Sequence, residues 1–333
     1  MSAPVILNDG SMHLSFGRNC VNKFIRYSAP LFVKAMLARK KYIAPIFSRD
    51  LYARIELTNA CNYRCSFCPH GSMKRKLGIM DNVLYRKIID DCLASGIRKI
   101  NLTSYGESLL DPDVLEKIRY AKETGADYVY LTTNGSLLDQ EKSKAVIALG
   151  VDEVRVSIDA ISADEYSEVR SEYNYDTVLK NISFLLQAKK ADKSKTPIVT
   201  VCFIQRRDNE KDAKEFIKNW EEKADVIHLQ AFHNWAARIE DKEPGSFVPC
   251  KRLWYTLNIF WDGRVGLCCA DTEGQYILGD FRYNSLTEIW NGEKFQEARK
   301  RNLHNDKDFI CSRCSLPMRD SMLWIKKMLT AKN

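Results

Sequence analysis

Between residues 51 and 235 the apolar positions switch repeatedly between two periods. β-rich runs begin at Arg54, Lys99, Tyr128, Glu153, Ile198 and Val226. The segments between them carry apolar residues at helical spacing, as in Leu84, Ile88 and Cys92, or Leu115, Ile118 and Ala121. Gly96, Gly125 and Gly150 each stand a few residues ahead of the next run. A glycine just past a helix relieves the left-handed turn that redirects the chain. Six strand–helix units predict an α/β fold with a parallel sheet, either open and doubly wound or curved into a partial (β/α)6 barrel.

The pattern differs at both ends. In residues 1–50, Phe24, Ile25, Leu31, Phe32, Met36 and Leu37 mix with Lys23, Arg26, Lys34, Arg39, Lys40 and Lys41. This predicts a basic N-terminal extension with an amphipathic helix broken at Pro30. After residue 235, Trp261-Asp-Gly-Arg264 separates Leu257-Asn-Ile-Phe from Val265-Gly-Leu. Asp-Gly between apolar runs predicts a hairpin, because its central residues need positive φ. Residues 236–333 are therefore read as a small C-terminal α+β domain, following a core of 51–235.

Composition narrows the class. Of the 333 residues 45% are hydrophobic and 28% charged, as in a water-soluble enzyme. No apolar run has the length of a membrane span, and the N-terminus lacks a secretion-signal pattern, so a cytoplasmic location is expected. The net charge of +8 is concentrated at the ends. Residues 1–50 carry 8 basic and 2 acidic side chains, and residues 299–333 carry 9 and 3. Solvated faces explain this, as does an anionic partner such as a membrane surface or a phosphate-bearing substrate. No nucleic-acid partner is expected.

Seven of the eleven cysteines fall in ligand-like spacings, which points to metal chemistry rather than a disulfide framework. Cys61, Cys65 and Cys68 form C-x3-C-x2-C directly after the first strand. Three thiolates on one loop hold three irons of a [4Fe–4S] cube and leave the fourth open to a small molecule. The alternative is a zinc knuckle, for which His70 is the local fourth ligand and Pro69 an obstacle. Cys250, Cys268, Cys311 and Cys314 form a second set. Four thiolates close a site to further ligands, and a structural zinc is the competing occupant. Cys20, Cys92 and Cys202 are read as small buried hydrophobes.

The first spacing, with Phe67 before the third cysteine, resembles the signature of the radical S-adenosylmethionine (SAM) superfamily. The resemblance covers about residues 51–235. It implies reductive cleavage of SAM to a 5′-deoxyadenosyl radical that abstracts a substrate hydrogen. It also implies roles for particular residues. Phe67 would pack near the adenine. Tyr105-Gly106-Glu107 resembles the Gly-Gly-Glu motif that holds the methionine amino group, with Tyr in place of the first Gly. Ser157 and Asp159 resemble the ribose-binding pair, and Arg170 an arginine that pairs with the SAM carboxylate. Asn134, after the third strand, is a further candidate for SAM contact.

Cys250-x12-Gly263-x4-Cys268 followed by Cys311-x2-Cys314 resembles the SPASM and twitch domains of the same superfamily. With no cysteine after Cys314, one auxiliary [4Fe–4S] cluster is expected. Cys269 follows a ligand directly; in an extended strand its side chain points away from the ligand's. It is a packed thiol or a hydrogen-atom donor to a substrate radical. Relatives of this type imply oxidation or epimerisation of a sugar or aminocyclitol, with flavodoxin or ferredoxin as electron donor. The alternatives are a ribosomal-peptide maturase and a zinc-binding interaction protein.

Overall fold

The computed structural model describes residues 51–172, 174–206, 208–240 and 247–316, together with the backbone of Val5–Leu7 (β1). The six predicted runs form β2 (Tyr52–Ile55), β3 (Lys99–Asn101), β4 (Tyr128–Thr133), β5 (Glu153–Ser157), β6 (Ile198–Gln205) and β7 (Val226–Ala231). Each pairs with the next in parallel. The intervening helices are α1 (Asn82–Ala94), α2 (Val114–Glu123), α3 (Gln140–Ala148), α4 (Ala163–Arg170), α5 (Tyr175–Ala191) and α6 (Glu210–Trp220). Gly96, Gly125 and Gly150 all have positive φ, as the predicted helix exits require.

Alternation along the strands sorts residues by face. Ala53, Ile55, Ile100, Val129, Leu131, Val154, Val156, Val199, Val201, Phe203, Ile227 and Leu229 are buried and belong to the hydrophobic core. The same core takes in Ile88, Ile89 and Cys92 of α1 and Ile118 and Ala121 of α2. The intervening positions are polar or aromatic: Tyr52, Arg54 and Glu56; Asn101; Tyr130 and Thr132; Glu153, Arg155 and Ser157; Thr200 and Cys202; His228. Strands buried on both faces usually read as continuous aliphatic runs. Here one face is apolar and packs against helices, while the other lines a polar interior.

The sheet extends past the six strands on both sides. β1 pairs in parallel with β7, Val5 opposite Ile227, so the N-terminal segment read as an extension contributes an edge strand. The amphipathic helix expected over residues 23–41 and the basic residues after 316 lie outside the described residues. On the other side β8 (Thr256–Ile259) pairs in parallel with β2. β9 (Arg264–Gly266) and β10 (Ile277–Asp280) follow, antiparallel. Gly263 has φ +85° in the predicted Asp-Gly hairpin. The ten strands form one sheet in the order β1-β7-β6-β5-β4-β3-β2-β8-β9-β10. α7 (Leu286–Trp290), opened by a Ser285–Glu288 capping box, and α8 (Glu293–Leu303) complete the C-terminal unit.

Among the described residues no helix is long and apolar enough to cross a membrane.

Candidate active site

The chain leaves the carboxyl end of β2 into the loop that carries Cys61, Cys65 and Cys68. That loop is fixed on both sides. Thr58 Oγ1 donates to the Gly78 carbonyl (2.8 Å) and Asn59 Nδ2 to that of Lys76 (3.0 Å). The Glu107 amide donates to the Ala60 carbonyl at 2.8 Å. Gly106 has φ +84°, and a Cβ there would lie 2.5 Å from the Ala60 carbonyl and 2.6 Å from that of Thr58. Only glycine allows the two loops to close on each other.

Within the loop, the Cys68 amide donates to the Cys65 carbonyl, and the Tyr63 amide donates to Cys61 Sγ at 3.4 Å. His70 Nε2 lies 2.7 Å from the Asn59 carbonyl, so its ring is engaged with backbone and not with the thiols. No three His, Cys, Asp or Glu side chains among the described residues converge on a single-ion site. The three thiols on one pinned loop suit the corners of an iron–sulfur cube, where each sulfur meets a different metal. Burial pushes the Cys61 thiol up to about 12 and raises that of Cys68. Iron binding displaces such protons.

The residues expected to hold SAM gather around this loop. Glu107 is buried, and its carboxylate accepts from the amides of Leu109 (3.1 Å) and Asn134 (2.8 Å). Asn134 Nδ2 donates to Asn62 Oδ1 inside the cysteine loop, at 2.9 Å. The loops after β2, β3 and β4 are therefore tied through Glu107 and Asn134. Ser157 ends β5, half-buried on its polar face.

Two of the expected residues are engaged within the protein. Asp159 was expected to pair with Ser157 on the ribose, but its carboxylate is already engaged. It forms an ion pair with Arg170 and accepts from the Ile204 amide at 2.6 Å. Asp159 thus acts on Arg170, whose Nη1 reaches Cys65 Sγ at 3.4 Å while its guanidinium stands 5.4 Å from the Phe67 ring centre. Tyr105 points its side chain toward the C-terminal unit. Its hydroxyl donates to the Cys269 carbonyl, and its ring lies 6.0 Å from that of Trp235.

Cys250, Cys268, Cys311 and Cys314 line one pocket with Ala236, Arg252, Ala270, Ile310 and Leu316. Burial, then the neighbouring sulfurs, pushes the Cys268 and Cys311 thiols well up and that of Cys314 to about 12. Four sulfurs lining one largely apolar pocket suit an iron–sulfur cluster, whose positive irons would offset the repulsion between thiolates. Cys269 lies outside the lining of this pocket, and its electrostatic neighbours include Tyr52, Arg54 and Tyr105. It sits in a turn after β9, not in a strand.

Comparison with known proteins agrees with this arrangement. The model of the radical SAM superfamily matches residues 55–219, and that of the SPASM iron–sulfur cluster-binding domain matches residues 250–315. The chain belongs to the radical SAM superfamily. It uses SAM and a [4Fe–4S] cluster in its core and carries an auxiliary iron–sulfur site in its SPASM domain. This membership replaces the reading as a zinc-binding interaction protein.

A GTP 3′,8-cyclase of Chlorobaculum tepidum is 34% identical over 151 residues, 45% of each chain. The chain spans about half the length of the curated relatives it matches. Among solved structures, BtrN in complex with AdoMet and 2-DOIA aligns with TM-score 0.57 and 18% identity, over 79% of this chain and 92% of that one. Streptococcus suis SuiB bound to precursor peptide SuiA aligns with TM-score 0.65 and 13% identity, over 88% and 74%. These structures share the fold.

Residues that the sequence reading passed over brace the cysteine loop. Trp235 Nε1 donates to the Phe67 carbonyl at 3.1 Å, bracing the aromatic before the third cysteine. Arg75 forms a buried ion pair with Glu56 (2.8 Å) and donates to the Thr272 carbonyl (2.7 Å), joining the loop to the C-terminal unit.

Proposed function

We propose that this enzyme oxidises a C–H or C–OH centre of a polar small molecule such as a sugar or aminocyclitol, with Cys250, Cys268, Cys311 and Cys314 holding the electron-accepting cluster. When bound, SAM and the three-cysteine cluster supply a 5′-deoxyadenosyl radical, and the four-cysteine cluster supplies an acceptor for one electron. For an alcohol the balance is simple: a hydrogen atom leaves carbon, then one electron and the hydroxyl proton leave, giving a carbonyl.

The observation that carries this reading is the single pocket that four cysteines line together. With every iron ligated by protein, that site has no open position for substrate, which suits it to electron transfer. The C-terminal unit holding it is joined directly to the catalytic edge, since β8 pairs with β2. Glu107 and Arg170 are assigned to the amino and carboxylate groups of SAM, with Asn134 and Ser157 beside them and Asp159 orienting Arg170. Cys61, Cys65 and Cys68 are assigned to the catalytic cluster, and flavodoxin or ferredoxin is the expected reductant. Epimerisation would instead require a hydrogen donor, for which Cys269, a thiol outside the ligand set, is the candidate.

A second reading comes from the curated relatives, several of which are named GTP 3′,8-cyclase. Under it the substrate is a purine nucleotide that cyclises. Anaerobic incubation with SAM, reductant and a panel of sugars, aminocyclitols and GTP in deuterated water separates the readings. A two-electron-oxidised product without solvent deuterium at carbon is expected. Deuterium at carbon in an unoxidised product would mean epimerisation, and consumption of GTP alone would favour cyclisation.

A further inference from the structure

The two cysteine sets are joined through three consecutive residues. Asn234, Trp235 and Ala236 follow β7, and each makes a different connection. Asn234 grips the backbone on both sides of Cys314: its Nδ2 donates to the Arg313 carbonyl at 2.8 Å, and its Oδ1 accepts from the Ser315 amide at 3.0 Å. Its own amide donates to Ser315 Oγ, also at 3.0 Å. Ala236 lines the four-cysteine pocket, and its amide hydrogen-bonds the Cys314 sulfur. Trp235, between them, reaches the other cysteine loop, where its Nε1 donates to the Phe67 carbonyl at 3.1 Å. That carbonyl belongs to the peptide group that links Phe67 to Cys68.

The backbone here is unusual. Trp235, Ala236 and Ala237 have φ of +48°, +56° and +68°. Residues with a Cβ rarely adopt this left-handed conformation, and they keep it where surrounding contacts over-determine it. The contacts of Asn234 and Ala236 with the Cys314 segment supply that constraint. A second connection runs beside the first. The Trp235 ring lies 6.0 Å from that of Tyr105, whose hydroxyl donates to the carbonyl of Cys269, the neighbour of Cys268. Tyr105 directly precedes Gly106 and Glu107. The C-terminal cysteines are therefore tied to both loops assigned to SAM, one through Phe67 and one through Tyr105.

We infer that Trp235 is a positioning residue through which occupation of the auxiliary site sets the affinity of the core for SAM. With four sulfurs ligated together, Cys268 and Cys314 are held in one place, and the segments carrying Trp235 and the Cys269 carbonyl are held with them. With the site empty, those segments are released, and the Phe67 peptide and Tyr105 lose their fixed partners. SAM must then order both loops as it binds, and its affinity falls. The coupling rests on the assignment of Phe67 and Glu107 to SAM and is independent of which substrate is oxidised.

SAM binding without reductant or substrate tests it. Equilibrium dialysis compares the reconstituted parent, Trp235→Phe, the pair Cys311→Ala/Cys314→Ala, and all three substitutions together, with iron counted in each. Trp235→Phe keeps an aromatic ring but has no N–H to donate. It should retain about eight irons yet bind SAM at least about fivefold more weakly, the lower end of ordinary coupling between sites. The cysteine pair should hold about four irons and weaken SAM binding by at least the same factor. In the combined variant the two losses should not multiply, because both remove one linkage. Parent affinity in Trp235→Phe, or in the cysteine pair at about four irons, would overturn the coupling, as would full multiplication of the two losses. If the cysteine pair holds any other amount of iron, Trp235→Phe decides alone. A misplaced SAM site shows separately, as parent affinity in Glu107→Ala and Arg170→Ala. Failure of the oxidation reading appears only in turnover.

Discussion

Arg170, at the end of its helix, forms an ion pair with Asp159 in which both side chains are buried, 7% and 3% exposed. Asp159 is held at φ +58°, and its other oxygen takes the Ile204 amide. The carboxylate therefore fixes both the charge and the direction of a guanidinium that also reaches Cys65.

Removing one partner of such a pair leaves a buried charge. Asp159→Ala should destabilise the protein by about 3–5 kcal/mol. The double variant Asp159→Ala/Arg170→Met should recover part of that loss, because it leaves no orphaned guanidinium. Denaturant midpoints of the three proteins check this; equal loss in the single and double variants would show that the pair is not coupled.

Glu107 and Arg170 are assigned to opposite charges of the SAM amino acid group. Glu107→Ala and Arg170→Ala should each weaken SAM binding about ten- to hundred-fold, from roughly 1.5–3 kcal/mol per charge-assisted hydrogen bond. Iron content should remain that of the parent. Equilibrium dialysis with SAM measures the effect, and unchanged affinity in both variants would relocate the cofactor.

Gly106 closes one loop over the other at a position where any Cβ meets backbone oxygen. Gly106→Ala should therefore disturb the Cys61 loop while sparing the C-terminal site. Iron should fall from about eight to about four per chain, with SAM cleavage lost. Retention of all the iron would show that the two loops can part without consequence.

Cys269 distinguishes oxidation from epimerisation. In the oxidation reading Cys269→Ala keeps both clusters and still forms product, whereas Cys311→Ala or Cys314→Ala cleaves SAM without completing oxidation. Product analysis by mass spectrometry decides between them. Loss of product in Cys269→Ala with accumulation of shunt products would make the thiol a hydrogen donor.

Much of this arrangement was legible in the chain. The six strand starts, the glycines past the helices and the Asp-Gly hairpin follow from period and turn chemistry, which act locally. Both cysteine sets announce themselves by spacing. What local pattern did not carry was direction. Tyr105 occupies a motif position yet turns toward Cys269, because the C-terminal unit supplies its partner 164 residues away. Asp159 looked like one of a pair with Ser157, but a left-handed backbone turns it to Arg170. The pairing of Val5–Leu7 with β7 joins segments too far apart for any local signal. Arg54, Asn101, Tyr130 and Arg155 read singly as ordinary polar positions of strands. Only the curvature of the sheet makes them one interior surface.

The central claim is two iron–sulfur sites with separate ligand sets, and iron counting tests it most directly. Anaerobically reconstituted protein should hold about eight irons per chain, and the triple variant Cys61→Ala/Cys65→Ala/Cys68→Ala about four. An unchanged iron count in the variant, or stoichiometric zinc in place of iron in the parent, would contradict the account.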